Sequence, residues 1–401
     1  MTHFSTHPRK RRSIALATVV FAILGLSAFL TARKQQSPLS EQALSAEQDL
    51  RIIDAFNGIE IRDWKEGKPL KSENLVLIHA HASPQDSSPR MPQLEVYFDE
   101  EIREIPSARL VVDYVRGNGK RAKRRTPHDL VKIPSDGNYR DISNGVWRIH
   151  EDPDYIREVE DNGFFGGDAL LIYKLPGSDT TQSFRFRIGG QNPEDERCKE
   201  YITNFPDALE GERLEFMYAV AKHESKHKNK DSVYYNQFLH LVSHPNDAGY
   251  PTWNNDGGQT PGGYGVFQVT GTDEDALENI PRNQIWNWQA NVDAAFAIMT
   301  HQFKDSLAKR YFERIKEKGP KFKSLFQRCP PPKIKADDEV FTAKQAIWIT
   351  AYNGWGGLIK NRFIFQKDKP CGLGPNKRWN WKPPIKPSGK TYLQLVAEEM
   401  E

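Results

Sequence analysis

Between residues 55 and 190, apolar and polar positions alternate in short runs. "NLVLIHAHAS", "LEVYFD", "ARLVVDYV", "ALLIYKL" and "SFRFRIGG" are rich in β-branched and aromatic residues. Turn signals such as "RGNGK", "PSDGN", "DNGFFGGD" and "LPGSD" separate them. A period of two, broken by turns at this spacing, predicts the strands of a small β-sandwich or barrel. After residue 190 the period lengthens. Asn192, Pro193 and Glu194 are helix start signals, and Tyr201 and Ile202 begin an apolar side. Helices are expected over 193–203, 211–228, 284–318, 341–353 and 390–400, with long polar, Gly-rich loops between them, most of all 244–264.

The first segment follows a third pattern. "RKRRSIALATVVFAILGLSAFLTARK" holds about twenty uncharged residues, Ser13 to Ala32, between basic flanks, the length of one membrane-spanning helix. Four cations precede it and two follow closely, so the positive-inside bias leaves the N-terminus in the cytoplasm and exports the rest. A cleaved signal peptide is the alternative, with Gly25 and Ser27 near the cleavage point. The expected organisation is a cytoplasmic tail at 1–12 and a single-pass inner-membrane anchor at 13–32. A linker at 33–54, a β-rich accessory domain at 55–190 and a mainly helical domain at 191–401 follow, both domains in the periplasm. The fold class expected is therefore α+β and multidomain, with a transmembrane helix first.

Composition narrows the function. Of 401 residues, 38% are hydrophobic and 27% charged, enough apolar material to bury a core. The net charge of +3 comes from cations interspersed with Asp and Glu, which argues against a nucleic-acid partner. The most basic run, 116–125, reads as a solvated loop, with anionic lipid or wall polymer as the alternative. Cys198, Cys329 and Cys371 are too few for a disulfide scaffold. Export allows one bridge, and Cys329–Cys371 is expected because both flank the same C-terminal helix. No C-x-x-C or His/Cys set has metal spacing, so a structural zinc site is not expected; no other metal and no organic cofactor is expected either. The 55–190 region carries no Ser/His/Asp set or phosphate loop. It reads as a binding module for an envelope or secretion-machinery partner.

Candidate chemistry begins at "AVAKHESKHK". Leu214, Met217, Val220, Ala221 and Glu224 fall on one helical face, so a carboxylate continues an apolar stripe. Partial burial disfavours the charged form and keeps a carboxylic acid available as a proton donor. The alternative is a glutamate paired with Lys222, His223 or His227, which lie on other faces. From this helix alone the two readings stay open.

Two further stretches carry a pattern. "GGYGVFQVTGT" is a Gly-rich approach to a lone Gln268, and "AIWITAYNGWGG" is an apolar helix ending in Tyr352-Asn353 before glycine. Glu224-Ser225, Gly265-Val266-Phe267-Gln268 and Ala351-Tyr352-Asn353 stand in order. Over about 205–400 the chain resembles the lytic transglycosylase and goose-type lysozyme families, which show Glu-Ser, then Gly-Leu-Met-Gln, then Ala-Tyr-Asn. The resemblance implies a lysozyme-like catalytic domain acting on peptidoglycan glycan strands, at the bond between N-acetylmuramic acid and N-acetylglucosamine. Glu224 would protonate the glycosidic oxygen and then act as base. Ser225 would bond near the scissile sugar or hold the glutamate. Gln268 and Asn353 would read N-acetyl and hydroxyl groups. Tyr352 would orient Glu224 or line the cleft, and Phe267 and Tyr264 would offer apolar faces to sugar rings.

The chain departs from the family in two places. Val266-Phe267 replaces Leu-Met, and the segment between Glu224 and Gln268 is longer than usual, carrying Asp247, Trp253 and Asp256. Lytic transglycosylases use one glutamate, and the muramoyl C6 hydroxyl closes a 1,6-anhydro ring. Goose-type hydrolases add an aspartate, for which Asp256 is the candidate. The lyase is the expected activity because Asp256 matches poorly in spacing. A hydrolytic muramidase and a non-catalytic glycan-binding envelope protein are the alternatives.

Overall fold

The computed structural model describes residues 50–65, 67–80, 88–113, 130–205, 214–225, 237–238, 249–251, 263–269, 280–298, 307–355 and 362–400. The chain divides into two compact units, 1–48 and 49–401, and the first lies outside the described residues. No helix among the described residues is long and apolar enough to cross a membrane. The longest of them have 11 residues, against the ~20 that a bilayer requires. The expected membrane helix at 13–32 lies outside the described residues. The fold class that placed it first is corrected to a mixed α and β architecture.

The β-rich part runs β1 (Leu50–Asp54), β2 (Ile59–Ile61), β3 (Leu75–Ile78), β4 (Leu94–Phe98) and β5 (Ser107–Asp113). It continues through β6 (Leu130–Ile133), β7 (Arg140–Asp141), β8 (Val146–Arg148), β9 (Gly167–Lys174) and β10 (Thr181–Gly190). One sheet has the order β2-β1-β4-β8. The other has β3-β10-β9-β5-β6, with β7 also on β5. Pairing is antiparallel except between β3 and β10. Leu50, Ile52, Leu94 and Val96 from the first sheet and Leu110, Val112, Leu171 and Phe186 from the second bury into one core. The period-two pattern works by this burial: a one-residue slip would turn each of these side chains outward.

Strand β1 corrects the expectation that 33–54 is linker. Only Leu50, Ile52 and Asp54 point inward along it, too short an alternation to stand out from polar neighbours. A helix, α1 (Pro153–Asn162), also falls inside the stretch expected to be all strands. Asp152 starts it, accepting the amide of Asp154 at 3.0 Å, with proline in the first turn, where its missing N–H costs nothing. The same carboxylate accepts from Arg140 and from Trp147 Nε1 at 3.0 Å. The basic run at 116–125 lies outside the described residues.

The second part holds α2 (Asp195–Thr203), α3 (Glu215–Ser225), α4 (Arg282–Trp286), α5 (Trp288–Ala297), α6 (Leu307–Glu317) and α7 (Pro320–Arg328). Hairpin β11 (Ile334–Ala336)–β12 (Glu339–Phe341) leads into α8 (Ala343–Thr350). Hairpin β13 (Phe363–Phe365)–β14 (Trp379–Trp381) precedes α9 (Tyr392–Ala397). The helix expected over 284–318 is interrupted at Asn287, which is extended and caps α5 by accepting the amides of Gln289 and Ala290. A short Asx side chain competing with the backbone ends one helix and starts the next. Cys329 and Cys371 form a disulfide, and Cys198 is free and buried.

The two parts interlock beyond the expected boundary at 190. Phe238, Tyr250, Tyr264, Ile285 and Trp286 bury in the core of the β-sheets, although all lie in the helical half of the sequence. The Phe238 ring sits where a side chain at Gly190 would be.

Candidate active site

Helix α3 packs Phe216, Met217, Val220 and Ala221 into the helical core and ends with Glu224 half-buried. Of the three basic residues around it, His227 lies outside the described residues. Lys222 Nζ donates to the Glu399 carbonyl at 2.9 Å, and the His223 ring meets Tyr392 edge-on at 5.3 Å. Ser225 is buried, and its hydroxyl donates to the Ala221 carbonyl at 2.8 Å. Its hydroxyl proton therefore closes the last turn of its own helix rather than reaching the glutamate.

The Gly-rich motif forms a tight loop. Tyr264 and Val269 exchange both backbone hydrogen bonds, at 3.1 and 2.9 Å. Two buried amides hold the turn. Gln237 Oε1 accepts from the Val266 amide at 3.0 Å, and Asn291 Oδ1 accepts from the Phe267 amide at 3.0 Å. Asn291 Nδ2 donates to the Tyr264 carbonyl at 2.8 Å. Gly265 has φ +81°, and a Cβ there would collide with the Gln237 and Asn291 carboxamides, so glycine is required twice over. Gln268 has φ +51°, a left-handed backbone that costs a residue with a side chain about 1 kcal/mol or more. Its side-chain Nε2 donates to the Gly265 carbonyl at 2.9 Å.

The third motif extends α8. Ala351–Trp355 is a π-helical turn, a geometry concentrated at functional sites because it re-aims side chains within a continuous helix. The Tyr352 hydroxyl donates to the Phe267 carbonyl at 2.6 Å, tying this turn to the Gly-rich loop. Asn353 Oδ1 accepts from Lys386 Nζ.

The residue that joins these motifs to Glu224 was not singled out from the sequence. Tyr392, the first residue of α9, donates its hydroxyl to Glu224 Oε1. Thr391 sets the ring's position by capping the helix: its Oγ1 accepts the Gln394 amide at 3.1 Å, and Gln394 Oε1 accepts the Thr391 amide at 2.9 Å. Burial pushes the Tyr392 phenol well above its ordinary 10.0, and the Glu224 charge pushes it further. Tyr352 is raised in the same way, by burial first and then by Glu224. Both phenols therefore stay protonated and work as donors near one carboxylate.

Glu224, Tyr352 and Asn353 thus belong to one cluster, completed by Tyr392 and Lys386, and Gln268 is linked to it through the Phe267–Tyr352 bond. Two expected contacts are corrected. Phe267 is fully buried, its ring against Phe296 and Tyr352, and Tyr264 is buried in the β-side core. Neither ring faces outward for a sugar, because the loop that carries them is folded into the two cores. Asp256, with Asp247 and Trp253, lies outside the described residues. The missed residues carried weak local signals: a Thr-x-x-Gln capping box before α9 for Tyr392, and for Lys386 only a Pro-Ser-Gly turn. No family model, curated protein or solved structure matches the chain.

Proposed function

We propose that the chain is a peptidoglycan lytic transglycosylase that cleaves the β-1,4 bond from N-acetylmuramic acid to N-acetylglucosamine with Glu224 as its single proton-transfer group. The observation that carries this reading is the half-buried Glu224 carboxylate, oriented by the Tyr392 hydroxyl at the meeting point of the Glu-Ser and Ala-Tyr-Asn motifs.

In the first half of the reaction the Glu224 carboxyl proton passes to the glycosidic oxygen as the C1–O bond breaks. In the second, the muramoyl C6 hydroxyl bonds to C1 and its proton returns to the Glu224 carboxylate, leaving a 1,6-anhydro end. No second carboxylate is needed, because an intramolecular hydroxyl carries an effective molarity of roughly 10⁵ M or more. Tyr392 holds the carboxylate in place through both halves. Tyr352 joins the Gly-rich loop to the same site, and Asn353 presents its amide to the sugar.

Purified sacculi test this reading. Wild-type protein should release soluble muropeptides, while Glu224→Gln should still sediment with the sacculi and release none. A wild-type protein that binds sacculi and releases nothing would replace the enzyme with a glycan-binding envelope protein.

A further inference from the structure

Lys386 lies in a tight hairpin closed by the Ile385–Thr391 bridge, in which its own amide donates to the Lys390 carbonyl at 2.7 Å. Its side chain is half-buried and turns back over the Tyr392 ring, 5.7 Å from the centroid, to donate to Asn353 Oδ1. An ammonium only donates, so this bond fixes the carboxamide of Asn353: the oxygen faces Lys386, and Nδ2 is left as a donor. The Asn353 side chain makes no other hydrogen bond among the described residues.

The charge of Lys386 is the feature that needs an answer. Lys390, four residues on, is neutralised by Glu398. Lys386 has no ion pair among the described residues; its partners there are a neutral amide and an aromatic face. A partly desolvated cation held on neutral groups recovers its solvation cost only when an anion arrives. The groups offered are an ammonium and the neighbouring Asn353 Nδ2, all donors and net positive. A ligand group that only accepts and carries negative charge matches them. One aromatic ring separates this pair from Glu224.

Resting on the transglycosylase reading, we propose that Lys386 is a specificity residue that binds a carboxylate carried by the glycan, with Asn353 as the second donor. Two sources share this chemistry: the lactyl carboxylate of a peptide-free muramic residue and a carboxylate of a stem peptide.

Calorimetric titration in a Glu224→Gln background, where ligands persist, separates the possibilities. The ligands are a peptide-free muramic tetrasaccharide, its lactyl methyl ester and the same tetrasaccharide with acidic stem peptides. One of the two acids should bind about tenfold or more tightly than the ester, the scale of a charge-assisted hydrogen bond, and the tighter one identifies the source. Lys386→Met should erase that preference and Lys386→Arg should keep most of it. Binding of both acids no tighter than the ester in the Lys386 protein overturns the proposal without any variant and leaves the glycan reading standing. Persistence of the preference in Lys386→Met overturns the assignment to this residue. Failure of all three saccharides to bind removes the glycan reading and this proposal with it.

Discussion

Two places in the molecule combine a carboxylate, a tyrosine and a cation, and they are built to opposite ends. In the β-rich part, Asp168 Oδ1 accepts from Arg187 Nε at 2.9 Å, from Arg187 Nη2 at 2.8 Å and from the Tyr250 hydroxyl at 2.9 Å. The guanidinium also lies over the Tyr250 ring at 4.1 Å and over Trp64 at 5.3 Å. Arg187 is 3% exposed, and each group satisfies another, so this cluster locks the 249–251 segment onto strands β9 and β10. At Glu224 the tyrosine again donates to the carboxylate, but the cation over its ring bonds to Asn353 instead. The same three kinds of group make a brace where the cation closes on the acid, and a candidate site where its hydrogen bond goes to a neutral amide.

Breaking the two clusters should have different consequences. Glu224→Gln should lower turnover roughly 10³-fold, within the range of general acid–base catalysis, with a thermal midpoint close to wild type. Disulfide removal by Cys329→Ser with Cys371→Ser comes next. The bridge spans 42 residues and holds the segment leading to Lys386 and Tyr392, so its loss should cost about 4 kcal/mol in chain-entropy terms. Hydrogen exchange should then quicken over 379–397 before it does over 167–190; the reverse order would place the bridge outside the support of the site. Arg187→Met should cost roughly 2–3 kcal/mol, discounted from a fully buried pair because Asp168 is part-exposed, while turnover per folded molecule stays at the wild-type level. A turnover defect there would dissolve the distinction between brace and site.

Smaller effects sharpen it. Tyr392→Phe should retain the fold and lose about tenfold in kcat, the worth of one hydrogen bond to a charged group, with KM little changed. The phenols of Tyr352 and Tyr392 are raised in the folded state relative to the unfolded chain. Folded protein therefore holds protons that the unfolded chain releases near pH 10, and stability present below that pH is lost as pH rises above it. The slope is at most about 1.4 kcal/mol per pH unit for each tyrosine. Denaturant midpoints measured from pH 8 upward should be level to about pH 10 and then fall; a level line beyond that pH would contradict the burial of these hydroxyls.

Much of this was legible in the sequence where the signal is local. The stripe from Met217 to Ala221 fixed the buried face of α3 and put Glu224 at its end, and alternation in "LEVYFD" and "ARLVVDYV" marked β4 and β5. Local reading failed where distant chain decides. Phe267 looks like a sugar platform beside glycines, but Gln237 and Asn291 pull its loop into the interior. Tyr392 reaches Glu224 across 168 residues, a distance that no periodicity spans. Asn287 breaks a helix that its apolar neighbours would continue, because its side chain competes for the amides of Gln289 and Ala290. The Arg187–Asp168–Tyr250 brace likewise joins residues that no pattern connects.

The most direct measurement is the mass of the glycan ends released when wild-type protein digests purified peptidoglycan. A single carboxylate working with the sugar's own C6 hydroxyl predicts 1,6-anhydromuramic ends and none when Glu224 is replaced by glutamine. Reducing ends carrying an added water would contradict it, and would turn the search toward a second carboxylate that activates water.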